Sequence, residues 1–295
     1  MRAEQRVAAH GRLVDADGSV ALVATGEGPS GGPFALPGGT VMHGEAPRET
    51  VRRTAAEALG VDVEPGRVLD VFADVLDVPE RGVSLHTIRV VYDLSAPPGW
   101  PARLRAGARA VAAADLASPV LAPFTARALG LGPRDRRTGA AVRHVDARPV
   151  EAAEDGRPPK VQRVGAYALV PDAGRLLLTR YAGSGRWSLP GGGIDHGEQP
   201  LDAVHREVHE ETGLTLADAR LTDVDSVHFT GHAPDGTLED FHAIRIVYRG
   251  TVPTDAQPAV LEVNGSSDAA AWIPLAELDR YPVTGFVGIA LRLLA

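Results

Sequence analysis

Cysteine is absent from the chain. That alone excludes a disulfide framework and a zinc site built on thiolates. Long apolar runs are missing too. No stretch is long enough to span a bilayer, and the N-terminus shows neither a secretory n-region nor an h-region. These absences predict a soluble, cytoplasmic protein without a membrane partner. Positive charge is in deficit: 30 Lys and Arg face 38 Asp and Glu, a formal net charge of −8. Affinity for a phosphate backbone needs a basic surface, so a general nucleic-acid binder is not expected. A small phosphorylated substrate needs only local cations and fits this balance.

The chain has enough material for two domains. At 295 residues, two units of about 130–150 are the default. Hydrophobic content of 44% and charged content of 23% are ordinary for globular proteins. Pro133-Arg134-Asp135-Arg136-Arg137 and the Glu-, Asp-, Gly- and Pro-rich stretch Pro149 to Lys160 read as linker. Ala140 to Val145 between them reads either as an extra strand or as an interdomain brace.

The strongest local signal is Gly192-Gly193-Ile194-Asp195-His196-Gly197-Glu198, followed after seven residues by Arg206-Glu207-Val208-His209-Glu210-Glu211-Thr212-Gly213-Leu214. Pro200 suits a first helical turn, and Leu201 to Glu211 contains no Gly or Pro. Leu201, Val204 and Val208 fall at i, i+3 and i+7, one apolar stripe for a core. Glu207, Glu210 and Glu211 then spread over roughly 100° of a neighbouring face. Three like charges so close together destabilise a helix. Arg206 can pair with one of them, and Mg²⁺ or Mn²⁺ offsets more, because those ions prefer carboxylate oxygens and bridge to substrate phosphates. For Glu210-Glu211 taken alone, a solvated acidic face is the ordinary reading.

The surrounding pattern reverses that reading. Gly192, Glu198, Arg206, Glu207, Val208, Glu210, Glu211, Gly213 and Leu214 match every fixed position of G-x5-E-x7-R-E-U-x-E-E-x-G-U, where U is aliphatic. This resembles the signature of the Nudix hydrolases, with Trp187-Ser188-Leu189-Pro190-Gly191 as the entering strand. The resemblance covers residues 161–295. It implies an α/β/α sandwich with a mixed β-sheet, and hydrolysis of a nucleoside diphosphate linked to another moiety. It also implies Glu207, Glu210 and Glu211 as metal ligands, the Gly192 carbonyl as a further ligand, and Arg206 as the group that orients the glutamates. Glu198 is either a partner behind the ligands or a helix-start carboxylate.

A weaker copy lies 153 residues upstream. Leu36-Pro37-Gly38-Gly39 aligns with Leu189-Pro190-Gly191-Gly192, and 12 of the 26 positions from there to Val61 are identical. Ile88-Arg89-Val90-Val91-Tyr92 pairs with Ile244-Arg245-Ile246-Val247-Tyr248, so a whole domain is duplicated. Glu45, Arg53, Glu57 and Gly60 survive in the first copy. Thr54 and Ala58 replace the counterparts of Glu207 and Glu211, while the apolar Val51 and Ala55 remain. Residues 1–130 therefore read as a degenerate, non-catalytic Nudix-like domain, 131–160 as a linker and 161–295 as the catalytic domain.

Many Nudix members place a general base on a loop glutamate outside the box. Glu262 is the favoured residue, with Glu239 and Asp240 as rivals, unless a box glutamate serves instead. Arg180, just before the box, is a phosphate-binding candidate or a surface strand-end arginine. Trp187 reads as core support, and His196, His205 and His209 as solvated positions. Ser226 to Thr230 carries none of the family's downstream substrate markers, and Pro234 comes late. Nucleoside triphosphates, ADP-ribose or nucleotide sugars, and a non-nucleotide such as a prenyl diphosphate all stay open, with a nucleotide favoured. A non-catalytic ligand sensor is the alternative class. The first copy also suits a binding or dimerisation module, and a homodimer is compatible with the sequence.

Overall fold

The computed structural model describes residues 1–26, 32–132, 157–233, 236–253, 257–261 and 265–294. The chain divides into two compact units, Met1–Ala147 and Arg148–Ala295.

In the first unit the strands are β1 (Arg2–Leu13), β2 (Val20–Ala24), β3 (Phe34–Ala35), β4 (Gly38–Thr40), β5 (Glu64–Val78), β6 (Val83–Ser95) and β7 (Ala108–Val111). Helix α1 (Pro47–Leu59) follows β4, and α2 (Pro123–Ala128) follows β7. The second unit repeats this order, with one two-residue strand added after its first. Its strands are β8 (Lys160–Leu169), β9 (Pro171–Asp172), β10 (Arg175–Tyr181), β11 (Trp187–Ser188), β12 (Gly191–Gly193), β13 (Ala217–His232), β14 (Leu238–Thr251) and β15 (Ser267–Pro274). Its helices are α3 (Pro200–Thr212) and α4 (Gly285–Leu291).

The sheets are laid out alike in the two units. A mixed sheet runs β4-β1-β6-β5 in one and β12-β8-β14-β13 in the other. Its central pair is parallel in each case, β1 with β6 and β8 with β14. A smaller antiparallel sheet runs β3-β2-β7 and β11-β10-β15. The parallel pair needs a crossover, and the box helix lies within that connection. Each unit is thus an α/β/α sandwich with a mixed sheet, as the motif implied.

Equivalent side chains build the two cores. Leu22, Leu36 and Val91 are buried together in the first unit, and Leu178, Leu189 and Val247 in the second. Each such residue contributes roughly 1.5–3 kcal/mol by leaving water. Trp187 joins the second core, as expected of a support for the box.

β10 runs on to Tyr181, so Arg180 lies within it. β13 and β14 pair over nearly their whole length, from Ala217 with Thr251 to His232 with Leu238. Ala140 to Val145, Pro234 and Asp235 lie outside the described residues. No helix among the described residues is long and apolar enough to cross a membrane.

Candidate functional site

Helix α3 starts and stops where its sequence dictates. Pro200 opens it at the position where a missing N–H costs nothing. Gly213 closes it at φ 67°, a left-handed cap whose N–H reaches the His209 carbonyl at 2.8 Å. Helix α1 uses Pro47 and Gly60 in the same two roles, Gly60 at φ 75°.

The buried face of α3 differs from the apolar stripe read off the sequence. Val204 and Val208 are fully buried, but Leu201 is exposed and Pro200 and Ala203 take the first-turn contacts. Glu211 continues that buried face one turn beyond Val208, and its exposure is 0%. The three glutamates therefore do not share one solvent-facing flank. They grade from the core outwards: Glu211 is sealed, the Glu207 side chain is 13% exposed and that of Glu210 is 39% exposed.

One guanidinium organises the outer part of this ladder. Arg206 Nε and Nη2 donate to the two oxygens of Glu198 at 2.9 and 3.0 Å, a two-pronged pair. Its Nη1 donates to Glu207 Oε1 at 2.8 Å and to Glu210 Oε2 at 3.1 Å, and Nη2 also reaches the Gly193 carbonyl at 2.9 Å. Glu198 in turn accepts the Asp195 N–H at 2.9 Å, tying the loop before α3 to the helix. Of the two readings of Glu198, the arginine partner is the one present. Glu207 Oε2 and Glu210 Oε1 have no hydrogen-bond partner among the described residues.

Glu211 is satisfied from the opposite direction. Its Oε2 accepts the Gly191 N–H at 2.9 Å and the Thr179 hydroxyl at 3.3 Å. Its Oε1 accepts the Ser267 hydroxyl and, at 3.4 Å, that of Ser266. These donors come from β10, β12, β15 and the bend before β15. None belongs to the signature, and sequence reading missed Thr179, Ser266 and Ser267 altogether.

Burial pushes the Glu207 carboxyl up to about 7, with Glu211 and Glu210 adding to the rise against the pull of Arg206. Burial likewise raises Glu211, opposed by its hydrogen bonds from Ser267, Gly191, Thr179 and Ser266. Arg206 is held even more firmly charged by its bonds to Glu198 and the nearby Glu207. The site thus carries more negative charge than one arginine offsets.

The glycines of the turn leave room for this. A Cβ on Gly192 would lie 2.6 Å from Glu207 Oε1. Gly191, at φ 144°, would drive a Cβ to 2.3 Å from the Ala166 carbonyl. In the first unit Gly38, at φ 153°, faces the Ala9 carbonyl in the same way, and Gly39 faces Thr54 where Gly192 faces Glu207. There Arg53 still grips Glu45 at 2.9 Å with both prongs, but among the described residues its only other carboxylate is Glu57, at 3.9 Å and largely exposed.

Other expected residues sit as follows. Arg180 donates to Asp268 at 2.7 Å and lies over the Trp187 ring at 5.8 Å, so its guanidinium is engaged on the protein surface. Glu262 lies outside the described residues. Its rival Asp240 is bonded to His228, and Glu239 is buried in β14. His196 is buried in the loop before α3, against the expectation of a solvated position, because that loop folds back against the sheet through Ile194.

The NUDIX domain family matches residues 4–126 and 159–290. The chain is 31% identical over 126 residues to the nucleoside triphosphatase NudI of Escherichia fergusonii, covering 42% of this chain and 83% of that protein. It is 49% identical over 47 residues to an RNA pyrophosphohydrolase of Halorhodospira halophila, covering 16% of this chain and 26% of that one. Among solved structures, a MutT NUDIX hydrolase from Burkholderia pseudomallei aligns at 31% identity over 46% of this chain and 100% of its own, with a TM-score of 0.38. With both halves matched and the fold repeated element by element, the chain belongs to the Nudix family of pyrophosphohydrolases and carries two NUDIX domains in tandem.

Proposed function

We propose that residues 161–295 form the catalytic domain and hydrolyse the phosphoanhydride of a nucleotide with Mg²⁺ or Mn²⁺, and that residues 1–130 form a domain without turnover, joined by a linker at 131–160. The observation that carries this reading is the carboxylate cluster of α3. Glu207 Oε2 and Glu210 Oε1 are unpartnered among the described residues, and burial holds Glu207 up near 7. Such a donor set fits a hard divalent cation, which prefers carboxylate oxygens. Glu207, Glu210 and Glu211, with the Gly192 carbonyl, would hold it. Bound there, the cation neutralises phosphate oxygens and lowers the pKa of water.

The chain's own residues do the rest. Arg206 fixes the orientation of Glu207 and Glu210, which sets the direction of their free oxygens. Glu262 serves as general base for the attacking water. In support, the neighbouring Leu261 N–H is anchored to the Glu210 backbone carbonyl at 2.9 Å. Arg180 binds a substrate phosphate by exchanging Asp268 for it, since both side chains are well exposed. In the first domain Thr54 and Ala58 leave Glu57 as a lone carboxylate, too little to hold Mg²⁺ without a dedicated cage.

The nucleoside triphosphatase relative, matched over 83% of its own length, favours a nucleoside triphosphate as substrate. The test is the purified chain with Mg²⁺ against nucleoside triphosphates, ADP-ribose, nucleotide sugars and a prenyl diphosphate. Turnover of at least one nucleoside triphosphate is expected. Turnover of the prenyl diphosphate alone would replace the substrate class. Tight binding without any turnover would replace hydrolysis with sensing.

A further inference from the structure

The four donors around Glu211 exceed what the fold requires, and the first domain shows it. Thr179 pairs across strands with Ser188, the residue before Leu189. In the first domain Val23 pairs with Ala35, the residue before Leu36. Val23 therefore stands where Thr179 stands, and Ala58 where Glu211 stands. Thr179 also pairs with Ala270 of β15, and Val23 with Ala108 of β7. Ser267 lies three residues before Ala270. The three residues before Ala108 are Arg105, Ala106 and Gly107, which offer no hydroxyl. The carboxylate and its hydroxyl donors are absent together, yet the same sheets and the same core are built.

We propose that Thr179 and Ser267 are positioning residues for Glu211, whose hydroxyls, with the Gly191 N–H, hold a solvent-free carboxylate in one orientation for cation binding. A carboxylate at 0% exposure is costly unless hydrogen-bonded. Its two oxygens have about four acceptor sites between them: Gly191, Thr179 and Ser267 take three, and the Ser266 hydroxyl, the longest contact at 3.4 Å, stands at the fourth, the one a cation would take. With one donor from the β12 backbone in the mixed sheet, and hydroxyls from β10, the start of β15 and the bend before it in the small sheet, the carboxylate is held by both sheets of the domain.

The inference rests on the metal reading of the site, so its test separates the two. Full-length wild type, Thr179→Val, Thr179→Ser, the pair Thr179→Val/Ser267→Ala, and Glu211→Gln are titrated with Mn²⁺ alone, free ion being read by electron paramagnetic resonance. Turnover is measured in parallel across Mn²⁺ concentrations. Thr179→Val and the pair are expected to bind Mn²⁺ roughly 10–100-fold more weakly, the range for groups behind a metal ligand. Excess Mn²⁺ should recover their kcat, and Thr179→Ser should bind as wild type does. A merely structural loss would be recovered by neither. Valine already occupies the matching place in the first domain, so Thr179→Val should fold and decides the matter if the pair is insoluble. Wild-type affinity in Thr179→Val and the pair, with Glu211→Gln still losing affinity, overturns the positioning role. Wild-type affinity in Glu211→Gln overturns the metal reading itself.

Discussion

Glu207 lies so close over Gly192 that a single added methyl would sit 2.6 Å from its Oε1. The carboxylate and the turn are fitted to each other, and the glycine is a steric condition for where the carboxylate rests. Gly192→Ala should therefore displace Glu207 and lower kcat by roughly 10²-fold, the scale of an ångström-sized misplacement. Gly39→Ala meets only the Thr54 methyl at 3.0 Å and should leave turnover unchanged. Steady-state kinetics of the two variants make the comparison, and equal losses would contradict it.

The two box helices predict unequal consequences for one chemical change. Glu211→Gln should cost roughly 10³-fold or more in kcat, as removal of a principal transition-state stabiliser does. Glu57→Gln neutralises an exposed side chain 3.9 Å from Arg53 and should cost little. Comparable losses at the two positions would mean that the first domain takes part in the reaction.

Protonation of Glu207 links stability to pH. Its carboxyl is raised to about 7 in the folded, metal-free protein, above the unfolded value near 4.5. Between those values the folded state binds more protons than the unfolded one, so this group makes stability fall as pH rises through the window. Above about pH 7 its contribution is flat. In EDTA, melting should therefore lose ground from pH 5 to pH 7, and Glu207→Gln should flatten that slope. Mg²⁺ should stabilise more at pH 8 than at pH 5.5, because ligation needs the ionised form. Calorimetry with and without Mg²⁺ measures both effects, and a Mg²⁺ shift independent of pH would exclude Glu207 from the ligand set.

Arg206 grips three carboxylates and a carbonyl, a set that matches the planar fork of a guanidinium. Arg206→Lys keeps the charge but loses the fork, and should weaken Mn²⁺ binding by roughly 10–100-fold. Arg53→Lys in the first domain breaks a partly exposed pair and should change melting by at most about 1 kcal/mol equivalent, with turnover intact. Parallel titration and melting curves distinguish the two positions.

Much of this is legible in the sequence. Proline at the start, glycine at the end and the fixed spacing between them mark α3. The duplication marks which carboxylates are dispensable to the fold. What the spacing cannot convey is depth. Glu211 reads as one acidic residue among three on a helix face, and its burial depends on hydroxyls from Thr179, 32 positions earlier, and Ser267, 56 positions later. Leu201 carries the right apolar character at the right interval, yet Pro200 and Ala203 meet the core in its place. Arg180 reads as a free cation because its partner Asp268 is 88 residues away. Periodicity reports which side of an element a residue is on. Partners on other strands decide what that side faces.

The clasp between Arg53 and Glu45 endures in a domain that has shed two of the three acids such a clasp serves elsewhere. It binds the loop before the helix to the helix itself, and that task is independent of what the helix displays. Chassis and cargo are thus separable in this protein. A duplicated copy can change what its helix displays without loosening its shape, and glutamates restored at Thr54 and Ala58 alone would still face Val23, with none of the hydroxyls that Thr179 and Ser267 supply in the second domain.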